Sequence, residues 1–190
     1  MKQTKNQIRE RLQGAFPKTL ALDVQKVADS VIDNQFELHQ SLNQEVILNG
    51  ERLIIPARLY ADESPTIAGL TDIQRTILHC LYLRHHNGFV RQAHLEKLLH
   101  NTDYFVVPFV FQLFGEYVVE ILSVANAHIN AQTIALYQKF IAENPTYAKQ
   151  TESRMTSYWD AYYRSQSPDL KHYIGREIFK KLKQPFQKAT

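Results

Sequence analysis

The sequence is poor in glycine and cysteine, and it lacks the short motifs of the commonest catalytic and nucleotide-binding sites. Its six glycines are too widely spaced to form GxGxxG or GxxxxGK[ST], which excludes the usual glycine-rich phosphate-binding loops. HExxH, CxxC and GxSxG are also missing, so the sequence does not contain the motifs typical of zinc peptidases, zinc ribbons and α/β-hydrolases. These absences do not exclude enzymes whose active sites have no local sequence motif.

Long apolar runs are missing as well. The most apolar segment, residues 104–125, has an uncharged run of only twelve residues, 104–115, whereas a membrane-spanning helix needs about 20. The basic N-terminus is not followed by an apolar run, so it does not fit a secretory signal. The single cysteine, Cys80, cannot form an internal disulfide and lies in an apolar helical stretch, as in proteins of a reducing compartment. We therefore expect a cytoplasmic protein that does not enter a membrane.

The formal net charge of +3 is unevenly distributed along the chain. Residues 1–18 contain five basic side chains against one acidic, and residues 171–190 contain six against one. The remaining residues hold 11 basic and 17 acidic side chains, so the excess positive charge lies at the two ends. Such basic ends can be flexible solubilising tails, or they can bind phosphates or an acidic partner. We expect any electrostatic binding to lie there, and we expect trimming both ends to leave the fold intact.

The sequence predicts a mainly α-helical protein with one domain over residues 1–190. We expect a compact bundle of five or six helices around a buried central helix at about 108–126. A β-hairpin is predicted at about 45–55, because Asn49-Gly50 between two apolar runs is a strong hairpin signal. Thr71 and Gln74 fit a capping box that begins a helix. Helical spacing from Val24 to Leu42 predicts a further amphipathic helix of about 20 residues.

Four charged residues form the first candidate site. Glu116 and Glu120 follow Gln112 at steps of four, so one continuous helix would place them along one edge. Arg84 and Arg91 lie on the apolar faces of two preceding predicted helices. These four residues could form buried ion pairs, which we favour, or they could line an enzyme or ligand-binding pocket.

Histidines form the second candidate site, since five of the eight lie within 22 residues: His79, His85, His86, His94 and His100. A metal site would need three or four of them to converge on one ion. His85 and His86 instead fit the end of a helix, where a histidine can bond the free carbonyls. We therefore predict neither a metal site nor any other cofactor.

Residues 72–100 form the third candidate, because two predicted helices joined by Asn87-Gly88 have the outline of a helix-turn-helix. In that motif the first turn of the second helix reads the major groove of DNA, which would use Arg91. The acidic charge of the central part of the chain argues against nucleic-acid binding, which relies on neutralising phosphates.

The fourth candidate is a segment rich in aromatic residues. Met155, Trp159 and either Tyr162 or Tyr163 follow helical spacing and are expected in the core, and Asp160 is expected to pair with Arg164. Tyrosine, tryptophan and arginine are also the residues enriched in protein interfaces, so Tyr158, Trp159 and Arg164 are candidate binding residues.

These observations favour a non-enzymatic cytoplasmic module that binds another protein or a second copy of itself. The alternative is a helix-turn-helix-like regulator that binds nucleic acid through residues 72–100. An enzyme or ligand-binding pocket around Arg84, Arg91, Glu116 and Glu120 is the third hypothesis.

Overall fold

A computed structural model gives the fold and describes residues 3–32, 36–39, 43–63 and 65–184. In these ranges the chain is mainly helical and carries a small antiparallel hairpin, which confirms the predicted fold class. The chain divides into two compact units, residues 1–98 (unit 1) and residues 99–190 (unit 2). The prediction that the whole chain forms one domain stays a prediction.

In its described part, unit 1 has four α-helices: α1 Lys5–Gln13, α2 Ala21–Val31, α3 Asp72–Tyr82 and α4 Gly88–Glu96. The predicted capping box at α3 is confirmed, because the Thr71 hydroxyl accepts from the Gln74 N–H and the Gln74 side chain accepts from the Thr71 N–H. Two of the N–H groups at the start of the helix are thereby satisfied. Thr4 and Gln7 make the same arrangement at α1.

The helix predicted between Val24 and Leu42 is shorter than expected. α2 ends at Val31, and Leu38 lies in a short strand, where it pairs with Leu59. Leu42 lies outside the described residues. Pairing with a distant segment therefore overrides the helical spacing at Leu38, an effect that periodicity alone does not reveal.

Four short strands accompany these helices: β1 Glu37–Leu38, β2 Gln44–Leu48, β3 Glu51–Ile55 and β4 Leu59–Tyr60. β1 pairs with β4, and β2 pairs with β3, both antiparallel. The turn between β2 and β3 is the predicted one: Asn49 and Gly50 have φ values of 53° and 79°, which a two-residue type I′ turn requires. The hairpin buries one face, formed by Val46, Leu48, Leu53 and Ile55.

In its described part, unit 2 has five α-helices: α5 Val107–Leu113, α6 Val119–His128, α7 Ile134–Glu143, α8 Pro145–Tyr162 and α9 Ile174–Lys183. All seven residues of α5 are buried, as expected for the central segment. The segment predicted as one helix is nevertheless interrupted between α5 and α6, next to Gly115. Glycine weakens a helix by about 1 kcal/mol relative to alanine. A Cβ on Gly115 would lie 3.2 Å from Thr151 Cγ2, so glycine also lets α8 pack closely there.

Much of the C-terminal basic segment, residues 174–183, forms helix α9 of unit 2. α9 buries Ile178, Phe179 and Leu182, while Arg176 and Lys180 on its other face are exposed. The expectation that residues 171–190 can be trimmed without loss of the fold stays a prediction, and the buried side chains of α9 argue against it, because trimming would remove them. At the other end, α1 likewise buries Ile8 and Leu12.

In the ranges that the structure describes, no helix is long and apolar enough to cross a membrane.

Candidate functional site

Arg91 lies in the first turn of α4, and its side chain is only 3% exposed. Its Nη1 atom donates to the carbonyl oxygens of His85 and His86, at 2.8 Å and 3.0 Å. A guanidinium that bonds two carbonyls of one turn holds that turn against the helix carrying the arginine. In this arrangement Arg91 fixes the connection between α3 and α4.

His85 is fully buried in the same connection, and both of its ring nitrogens are engaged. Its Nδ1 atom accepts from the backbone N–H of Asn87 at 3.1 Å, so the ring proton resides on Nε2. Nε2 then donates to the carbonyl oxygen of Ala61 at 3.0 Å. Burial lowers the pKa of His85, and the neutral ring is the form that both bonds require.

A continuous series of aromatic rings, here called the ring stack, runs through unit 1 in the order Tyr60, His86, His85, Tyr82, His94 and His79. The centroids of successive rings are 5.1, 4.4, 5.7, 4.6 and 5.0 Å apart. Its members come from β4, from α3 with the turn that follows it, and from α4. The ring stack therefore joins three parts of unit 1.

At the α3–α4 end of the ring stack, the Nδ1 atoms of His79 and His94 lie 3.0 Å apart. One ring must donate and the other accept for this hydrogen bond to form. Burial lowers the pKa of His79, and it lowers the pKa of His94 to about 4. Both rings are therefore neutral at neutral pH.

Four of the five clustered histidines thus contribute to the ring stack, while His100 belongs to unit 2. Among the described residues, no group of three or more His, Cys, Asp or Glu side chains could hold a metal ion. The close spacing of the histidines along the chain identified these four rings, but it did not show that Tyr60 and Tyr82 also belong to the ring stack.

The two glutamates of the first candidate site lie in unit 2 and differ in exposure. Glu116 is buried in the segment between α5 and α6, and Glu120 is exposed in the first turn of α6. Because the helix is interrupted between Gln112 and Glu120, these residues do not lie along one continuous helix as their spacing suggested. Arg84, which is buried, belongs to unit 1 together with Arg91. Their predicted pairing with the glutamates stays a prediction.

Three tyrosines of unit 2 form an exposed cluster, here called the tyrosine cluster: Tyr117, Tyr158 and Tyr162. The three centroid separations are 5.7, 5.5 and 6.1 Å, so each ring contacts the other two. Tyr117 is 48% exposed and Tyr162 is 57% exposed, while Tyr158 is half-buried. The Tyr163 hydroxyl donates to the Tyr117 carbonyl at 2.5 Å, which fixes the backbone of the cluster.

Sequence reasoning identified Tyr158 as a candidate, whereas Tyr117 falls inside the segment predicted as a buried central helix at about 108–126. Tyr117 instead lies in the interruption between α5 and α6, which turns it toward solvent. The sequence signal for this interruption was Gly115, which lies two residues before Tyr117 in an apolar helical pattern.

Trp159 lies in α8, and Arg164 lies just after the end of that helix. Trp159 is buried, and its Nε1 atom donates to the Ser167 carbonyl at 3.0 Å. Arg164 pairs with Asp160 at 2.8 Å, as predicted, and its guanidinium lies 5.9 Å from the Trp159 ring. Met155 is fully buried, so the expected core positions of Met155 and Trp159 are confirmed. The expected core position of Tyr162 or Tyr163 is wrong, because Tyr162 is exposed and Tyr163 is half-buried where α8 ends.

Known proteins give no further guide to these features: no protein family, curated protein or solved structure matches the chain.

Proposed function

We propose that this chain is a non-enzymatic, cytoplasmic protein-interaction module that binds a protein partner, or a second copy of itself, through the tyrosine cluster. The observation that carries the proposal is the mutual contact of Tyr117, Tyr158 and Tyr162 at the surface of unit 2. Tyrosine is enriched among the residues that dominate binding energies in protein interfaces.

The packing around the cluster supports this role. The rings hold one another in place, and Tyr158 is half-buried on α8 beside the buried Trp159. Side chains that are already ordered lose less conformational entropy on binding than mobile ones.

The nucleic-acid alternative has weaker support from the geometry. Arg91, which would read bases from the first turn of α4, is buried and bonds the carbonyls of the preceding turn. In the same turn Phe89 is 85% exposed, and Gln92 donates to Glu96. An exposed phenylalanine and a carboxylate do not neutralise phosphates.

Photo-crosslinking tests the proposal directly. A benzophenone amino acid placed at Tyr162 should capture one partner, whereas the same probe at Phe89, an exposed aromatic residue of unit 1, should not. If the captured protein is the chain itself, sedimentation analysis should show its self-association.

Binding of the captured protein in purified form then gives the quantitative test. Tyr162→Ser should weaken binding by about tenfold or more, since aromatic residues at interface centres contribute about 2 kcal/mol or more. Phe89→Ser is the matched control and should leave the dissociation constant unchanged. Equal capture at both positions, or equal binding by wild type and Tyr162→Ser, would overturn the proposal.

A further inference from the structure

We propose that the ring stack of unit 1 is an acid-sensitive switch, in which proton uptake by His79, His85 and His94 breaks its hydrogen bonds and separates α3 from α4. This inference concerns unit 1 and is independent of the tyrosine cluster. It rests on hydrogen bonds that are lost when His85 is charged, or when His79 and His94 are both charged.

The His85 bonds are the first element of the switch. Protonation of His85 would place a proton on Nδ1, the atom that now accepts from the Asn87 N–H. Two donors would then face each other, and the bond would be lost. Asn87 is the residue that caps α4, where its side chain accepts from the Phe89 N–H at 2.9 Å. Charging His85 therefore disturbs the start of α4.

The bond between His79 and His94 is the second element. One additional proton can be carried by one ring of this pair, but two charged rings would both have donors at Nδ1. The two positive charges would also repel each other across a half-buried contact. Because His79 lies on α3 and His94 lies on α4, this repulsion acts directly between the two helices.

Most of the charged groups that act on the three rings oppose protonation, and Glu63 is the exception. Arg75 of α3 and Lys97, just after α4, both disfavour a positive charge on His79, and Lys97 does so for His94. Glu63 favours a positive charge on His85 and also accepts from the Asn87 side chain at 2.7 Å. The neighbouring His86 disfavours a positive charge on His85.

Three further charged groups of the packed elements have contacts of their own. Arg91 donates to the His85 and His86 carbonyls, and Arg84 donates to the Ala57 carbonyl at 3.4 Å. On α2, which packs against α3, Asp23 accepts from Gln74 at the opposite end of α3. The immediate surroundings of the three histidines are thus predominantly cationic.

The direction of the pH effect follows from these pKa shifts. A histidine of an unfolded chain has a pKa of about 6.5, and the pKa values of His79, His85 and His94 in the folded chain lie below that value. Below about pH 6.5 the open form, in which α3 and α4 are separated, therefore binds more protons than the closed form, in which they pack together. Unit 1 should keep its full stability above this pH and lose stability as the pH falls toward 4.

Cys80, the only cysteine of the sequence, lies on α3, and the reactivity of its thiol can report the separation of α3 from α4. Its thiol is fully buried, next in sequence to His79. The experiment measures the rate of Cys80 reaction with 4,4′-dithiodipyridine between pH 7.5 and 5. The rate for the denatured chain at the same pH is divided by the rate for the folded chain, which gives a protection factor. We expect protection to fall at least about tenfold, since each proton taken up on opening changes the equilibrium up to tenfold per pH unit.

Non-titrating variants separate the switch from general acid destabilisation. His85→Gln and His94→Gln keep polar side chains but cannot take up a proton, so each should flatten the dependence of Cys80 protection on pH. His172→Gln changes an exposed histidine of unit 2 and should leave the dependence unchanged. The readout is the slope against pH, so a uniform loss of stability in a variant does not imitate the expected result.

Fluorescence of Trp159, the only tryptophan, monitors unit 2 in the same samples. This control is needed because burial also lowers the pKa of His128 in unit 2 to about 4. Equal slopes in wild type, His85→Gln and His94→Gln would overturn the proposal. If a variant does not fold, NMR titration of the wild-type imidazoles decides instead: titration of all three rings near pH 6.5 in an intact fold would also overturn it.

Discussion

Gly175 occupies a position in α9 where a side chain would collide with its neighbours. A Cβ there would lie 2.5 Å from Met155 Cγ and 2.8 Å from Tyr173 Cε1, both shorter than ordinary van der Waals contact. Met155 and Tyr173 are themselves buried, so neither can move away without disturbing further contacts. The missing side chain at this position therefore allows α9 to pack on α8.

Gly175→Ala should destabilise unit 2 by about 1–3 kcal/mol, the usual cost of inserting atoms into a packed core. Urea unfolding followed by Trp159 fluorescence measures this change. Gly14→Ala is the matched control, because Gly14 has a φ of −66° and its Cβ would meet nothing closer than 3.5 Å. Because Gly14 lies in unit 1, denaturant-dependent labelling of Cys80 follows this variant, which should be neutral or stabilising by up to about 1 kcal/mol. Equal unfolding free energies for Gly175→Ala and wild type would contradict the packing argument.

Single-residue features were predictable where they depend on neighbours in sequence. Asn49-Gly50 and the Thr71–Gln74 capping box involve residues within one turn, and both form as predicted. The environment of Arg91 was not predictable, because helical spacing shows an arginine on an apolar face without showing that it bonds the carbonyls of His85 and His86. Its role depends on how the chain turns between α3 and α4.

At the scale of the helix, α3 shows how a local cap supports a long-range arrangement. α3 carries His79 and Cys80, packs against α2 and α4, and begins at the capping box of Thr71. The Gln74 side chain, which caps the Thr71 N–H, also donates to Asp23 of α2 at 2.8 Å. The cap therefore connects the start of α3 to its neighbour.

Thr71→Ala should destabilise unit 1 by about 1 kcal/mol, the typical cost of removing a hydroxyl cap. Denaturant-dependent labelling of Cys80 on the same helix measures the change. Thr66→Ala alters an exposed threonine in the preceding loop and should have an effect within about 0.5 kcal/mol. A loss of stability as large in Thr66→Ala as in Thr71→Ala would show that the cap is not the cause.

Helices were predicted least well where the chain breaks inside a segment whose apolar residues follow helical spacing. The apolar residues on both sides of Gly115 fit one continuous helix, and nothing in their spacing reveals that α5 ends at Leu113 and α6 begins at Val119. The interruption exposes Tyr117 and completes the tyrosine cluster. The main feature of the candidate site thus arises from a break that helical spacing does not predict.

At the scale of the whole molecule, part of the positive charge at the C-terminal end forms contacts within the fold. Four of the six C-terminal basic side chains lie on α9, and two of these four, Arg176 and Lys183, bond Glu152 of α8 at 2.9 and 2.7 Å. Lys181 donates to Asn126 of α6 at 2.8 Å. Part of the positive charge at this end therefore holds α9 against the rest of unit 2. Composition and position along the chain showed where the charge is but could not show this structural use.

Removing residues 171–190 should therefore abolish the cooperative unfolding of unit 2, as followed by Trp159 fluorescence in urea. The deletion removes Ile178, Phe179 and Leu182 from the core, and losing one large buried side chain already costs about 2–5 kcal/mol. Lys180→Glu tests the charge separately, because Lys180 is exposed on α9 and its replacement leaves the buried face unchanged.

Lys180→Glu should unfold within about 0.5 kcal/mol of wild type, as is usual for an exposed substitution. It should also elute from a heparin column at lower salt if this end supplies electrostatic binding, since the lost positive charge weakens attraction to an anionic surface. A truncated chain that unfolds at the wild-type urea concentration would show that α9 is dispensable. The C-terminal basic segment would then be the removable tail that its charge alone suggested.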